Sequence, residues 1–130
     1  MASWADEFNR QSATPDRLRE AYGRIAAACS AAGRDPDTVV RSAMVGALVA
    51  ETEQDLRDRV RDQIAFMDDG NLDAEAWLAE RTGRWIIGTP DAARERINEL
   101  GAAGAQRIML QDFLPHDLDM VALLGRIAAD

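Results

Sequence analysis

The chain has 130 residues, 47% of them hydrophobic and 5% aromatic, which suits one domain (residues 1–130) with a core of its own. Its 15 basic residues, all arginine, face 23 acidic ones for a net charge of −8. That balance excludes nucleic acid and anionic membrane as expected partners, and the absence of lysine excludes Schiff-base chemistry and a phosphate-loop lysine.

In chain order, Trp4 to Asn9 is the first short strand candidate. Thr14-Pro15 then reads as helix N-cap and first residue, with Gly33 just past the end. Leu18, Ala21, Tyr22, Ile25, Ala28 and Cys29 form its apolar stripe, which makes Cys29 a packing residue rather than a nucleophile. Val39 to Ala50 is apolar on both alternating faces beyond Arg41 and Ser42, the pattern of a parallel strand covered on both sides. Of Arg41 and Ser42, one is expected to face a polar interior.

A second helix begins at Thr52, with Asp55 three residues on, buries Leu56, Val60, Ile64 and Met67, and stops at Gly70. Glu53–Arg57 and Asp55–Arg59 are spaced as surface ion pairs. A short third helix spans Asp73 to Thr82, with Leu72 and Trp77 as a hydrophobic staple. Trp85-Ile86-Ile87 is a brief strand, and Thr89-Pro90-Asp91 opens a helix ending near Gly101. Arg107 to Phe113 is the last strand, and a final helix from Asp117 carries Leu118, Val121, Leu124 and Ile127. Strands alternating with helices predict right-handed βαβ units and a parallel sheet.

No apolar run approaches the roughly 18 residues that span a bilayer. The opening MASWADEFNRQ lacks a signal-peptide pattern, so the expected location is cytoplasmic. One cysteine and one histidine leave no expected metal site.

His116, in LPHDLDM, is the single histidine and the one catalytic candidate, lying past a strand end where α/β ligands bind. Of its acidic neighbours, Asp117 is better explained as a helix N-cap. Gly88-Thr89-Pro90-Asp91 resembles an anion-binding helix start, but Pro90 removes a donor and Asp91 repels anions, which favours capping.

Taken together, WADEFN, RDPDTVVRSAMVGALV and WIIGTPDAARERINELGAAGAQRIMLQDFLPHDLDMVALLG resemble the C-terminal part of the luciferase-like monooxygenase family. The nearest branch is the deazaflavin-dependent (coenzyme F-420) oxidoreductases. The resemblance implies an α/β fold, a partial TIM (β/α)8 barrel of roughly the last three βα units, with parallel strands and helices outside. WADEFN would be the sixth strand, VVRSAMVGALV the seventh and RIMLQDF the eighth. Asn9, Ser42, Gln111 and His116 would fall near the barrel mouth, the first three as cofactor-binding candidates. The implied function is hydride transfer or oxygen activation with deazaflavin (F-420) or FMN, in an oxidoreductase completed by a complementary barrel chain and inactive alone. A whole barrel takes about 250 residues, so the open sheet edges call for cover. The alternative is a non-catalytic remnant or interaction protein that self-associates through those edges, as a homo-oligomer. A third possibility is a small ligand-binding module retaining part of the flavin pocket.

Overall fold

The computed structural model describes residues 3–67 and 73–129. The elements follow the order β1 (Glu7–Gln11), α1 (Pro15–Ala31), β2 (Val40–Val49), α2 (Glu53–Phe66), α3 (Ala74–Arg81), β3 (Ile86–Gly88), α4 (Pro90–Ala102), β4 (Arg107–Gln111) and α5 (Leu118–Ala129), with a 3-10 turn at Pro36–Thr38. β1 and β3 each pair with β2 in parallel, and β4 pairs with β2 as well. The α/β alternation and the parallel sheet read from the sequence are both present.

The helix starts obey local chemistry. The Thr14 hydroxyl accepts from the Arg17 amide at 3.4 Å, with Pro15 in the first turn. Thr52 accepts from the Asp55 amide and donates to the Asp55 carboxylate, at 3.1 and 2.7 Å. Asp73 caps α3 through the Ala76 amide, and Asp117 caps α5 through the Met120 amide. Gly70 and the Leu72 half of the expected staple lie outside the described residues.

The chain forms two compact units, Met1–Val45 with Ile97–Met109, and Gly46–Arg96 with Leu110–Asp130. In the first, α1 covers one face of β1 and of the start of β2. Phe8 meets Tyr22 edge-on at 6.3 Å, and the Tyr22 hydroxyl donates to the Ser42 carbonyl at 2.9 Å. Leu18, Cys29, Val39, Leu100 and Ala103 complete this core, so Cys29 packs as expected. Gly104, at φ 103°, turns the chain beneath the Tyr22 ring, a backbone conformation that favours glycine. Glu7 pairs with Arg107 at 2.6 Å.

In the second unit the end of β2, from Ala47 to Val49, is wholly buried, as is Ala50 after it. Leu56, Val60 and Trp77 join Met120, Leu123, Leu124 and Ile127 in its core.

Several expectations are corrected. The first strand starts at Glu7 rather than Trp4, whose side chain is 76% exposed. Backbone pairing with β2 sets the limits, from Glu7↔Val40 to Gln11↔Met44, and edge position tolerates the polar Arg10 and Gln11. Ala28 of α1 and Met67 at the end of α2 are exposed, and Gln63 is buried in their stead. The buried stripe of α5 runs through Met120, Leu123, Leu124 and Ile127, and leaves Leu118 and Val121 exposed. β4 stops at Gln111, because the Asp112 carboxylate takes the Leu114 amide at 2.7 Å and turns the chain. Its residues from Ile108 onward are half-buried rather than covered on both sides.

Candidate functional site

In parallel α/β sheets, chemistry gathers at the C-terminal ends of strands. The second unit carries an aromatic cluster that reaches past the C-terminal end of β4. β3 registers Ala47↔Ile86, Leu48↔Ile87 and Val49↔Gly88, which sets Trp85 just before the strand and over Gly46. A Cβ at Gly46 would overlap the indole, so only glycine admits the ring at this distance. Phe113, two residues past the end of β4, stacks on Trp85 with centroids 4.9 Å apart and planes 12° from parallel. Trp77 of α3 meets Trp85 edge-on at 5.5 Å, and the Arg81 guanidinium lies 4.1 Å over Trp77.

Polar groups hold this loop in place. The fully buried Gln63 of α2 donates its amide to the Phe113 carbonyl at 3.3 Å. Arg59 makes two bonds to the Asp117 carboxylate, at 2.7 and 3.2 Å, and a third to the Val49 carbonyl at 2.8 Å. One guanidinium thereby ties the end of β2 to the start of α5. The expected Asp55–Arg59 surface pair is replaced by this less exposed bridge, and Asp55 serves the α2 cap. The Arg59 hydrogen bond holds the Asp117 carboxyl below its ordinary value, against an opposing push from burial.

Ser42 is the polar residue buried at the start of β2. Its hydroxyl accepts from the Asn9 amide at 3.0 Å and reaches the Phe8 carbonyl at 3.5 Å. The structure brings Asn9 and Ser42 together. Ser42 is third in the ten-residue β2, toward the N-terminal end opposite to where barrel ligands bind. Gln111 is the last residue of β4 and half-buried. His116 is exposed, with its ring 5.3 Å from Phe66, on an open recess it shares with Asp62, Leu114 and Leu118. No hydrogen bond joins His116 to Gln111 among the described residues, and no three His, Cys, Asp or Glu side chains there converge as a metal site. No helix among them is long and apolar enough to cross a membrane.

The Trp85–Phe113 stack was not singled out from sequence. Its one legible signal is Gly46, a glycine within an otherwise filled apolar strand.

No family model matches the sequence, and neither does any curated protein. Solved structures do match. An F-420-dependent secondary alcohol dehydrogenase, solved with an F-420–acetone adduct, aligns over 97% of this chain and 43% of its own at 12% identity, with a TM-score of 0.74. The F-420-dependent tetrahydromethanopterin reductase of Methanopyrus kandleri aligns over 96% of this chain and 45% of its own, at 15% identity and a TM-score of 0.67. A riboflavin lyase solved with a modified FMN aligns over 93% and 39%, at 17% identity and a TM-score of 0.59. The fold is that of a partial (β/α)8 barrel. Monooxygenases as well as reductases share it. The chain spans 37–45% of the length of these enzymes, so the partial barrel is under half of a complete one.

Proposed function

We propose that the chain forms part of a luciferase-like oxidoreductase that uses a deazaflavin, coenzyme F-420, or FMN, with the remaining barrel supplied by further polypeptide. The observation that carries this reading is the Trp85–Phe113 stack, whose Phe113 lies just past the C-terminal end of β4, in a fold whose solved examples include enzymes named for F-420 and one holding a modified FMN. Gly46 and Phe113 take the two faces of Trp85, so the outer face of Phe113 is where we place a planar ring system, which gains both dispersion and stacking against it. Gln111, ending β4, is the polar side chain we assign to the same pocket. Asn9 and Ser42 bond to each other, and we assign them to strand pairing.

The donor set fits one wall and no more. Of the cations beside this cluster, Arg59 is already committed to Asp117 and Val49, and Arg81 lies over the Trp77 ring. Groups that hold a cofactor's phosphates therefore belong to the missing part of the barrel. When bound, the ring supplies hydride transfer or, with FMN, oxygen activation. This chain's residues would orient it and exclude water from one face.

Titration of the purified chain with FMN and with F-420, followed by tryptophan fluorescence, tests the reading. Saturable quenching is expected in the wild type, and its loss in Trp85→Phe. No saturable response to either compound overturns the cofactor assignment.

A further inference from the structure

Two surface patches on this chain are complementary in charge and both apolar at the centre. The first lies beside β1, which pairs only with β2 among the described residues and so presents a free edge. There a groove of about 290 Å³ has Phe8, Ala21 and Ile25 in its floor, and Arg10, Arg17 and Arg24 around it. Glu20 stands 3.6 Å from Arg24, both largely exposed, and no ion pair is made by Arg10 or Arg17 among the described residues. Three guanidinium groups around an apolar floor, in a chain of net charge −8, call for carboxylates from elsewhere.

The second patch gathers large apolar side chains left in solvent. Leu118 is 73% exposed, Val121 one helical turn on is 45% exposed, and Phe66 beside His116 is 55% exposed. The recess shared by His116 and Leu118 is bordered by the exposed carboxylates Asp62 and Asp119. Exposed apolar groups rimmed by charge mark interaction surfaces.

We propose that copies of this chain associate head to tail, the acidic patch around Leu118 of one copy seating in the arginine groove beside β1 of the next. The contact is heterologous, each copy offering one patch and one groove. Its central burial is apolar and its rim ionic, so it weakens with salt. The inference stands on surface chemistry and concerns the chain by itself, because polypeptide that completed the barrel beside β1 would take the place of the next copy.

Sedimentation velocity without added cofactor, over a roughly hundredfold range of concentration at low and high salt, tests it. The wild type is expected to self-associate, less so at high salt. Arg17→Glu/Arg24→Glu and Asp62→Arg/Asp119→Arg are each expected to weaken self-association by about tenfold or more. An equimolar mixture of the two variants regains a 1:1 complex, because the native patch of the first meets the native groove of the second. Circular dichroism confirms that each is folded; Leu118→Glu serves in place of the patch variant, and Arg17→Ala/Arg24→Ala in place of the groove variant, should either fail to fold. A wild type that stays monomeric throughout, an association indifferent to these substitutions, or a mixture that stays monomeric overturns the proposal. Any of these leaves the FMN and F-420 titrations unaffected.

Discussion

Trp85 lies so close over Gly46 that a Cβ added to the glycine would stand 2.8 Å from Cε3 of the indole, and closer still to Cδ2 and Cε2. The ring has little room to retreat, with Phe113 stacked on it and Trp77 against it. Gly46→Ala is therefore expected to destabilise the fold by about 1–3 kcal/mol, the usual cost of overpacking. Thermal unfolding measures it. Adding Trp85→Ala to that variant should make the methyl group at position 46 harmless, so the two substitutions together cost less than their sum.

The Arg59–Asp117 bridge gives stability that depends on pH in a stated direction. Hydrogen bonding from Arg59 is the largest influence on Asp117 and lowers its pKa in the folded state. Burial opposes it, and the Met120 amide and the nearby charges of Arg59 and His116 assist. A depressed carboxylate pKa means that this contribution is complete above the ordinary value of 3.8 and is lost as pH falls below it. Asp117→Asn keeps a cap for Met120 but removes the charge, and should cost about 1 kcal/mol at neutral pH. Asp117→Ala loses the cap as well and should cost about 2 kcal/mol. Denaturant unfolding at neutral and acidic pH checks both, with the gap between wild type and Asp117→Asn closing as Asp117 protonates.

Tyr22 makes the corresponding prediction at alkaline pH. Burial raises its pKa above 10.0, more strongly than the Arg41 charge lowers it. A raised tyrosine pKa adds stability that is complete below pH 10.0 and is lost as pH rises through the folded value. Tyr22→Phe leaves the buried Ser42 carbonyl without this donor and should cost about 1 kcal/mol at neutral pH. Its unfolding should then be less sensitive to alkali than that of the wild type, as equilibrium unfolding across that range would show.

Much of the fold was readable because its signals are local. Thr14-Pro15, Thr52 and Asp117 mark helix starts through hydrogen bonds within three residues of themselves. Val39 to Ala50 revealed a covered strand because both faces are apolar. The errors arise where a distant group decides. Leu118 and Val121 have the same helical spacing as the buried Leu124 and Ile127, and α5 turns its other face to the core. Arg59 has an acceptable partner four residues away, and Asp117 offers two oxygens in a drier place.

From the order of its residues alone, this protein is committed to five helices alternating with parallel strands, because capping, periodicity and glycine position act over a few neighbouring residues. Only the folded chain decides that Trp85 rests on Gly46, that Arg59 reaches Asp117, and that three arginines border one groove. Those pairings join segments far apart in sequence, and the competition among alternative partners is settled by burial and distance.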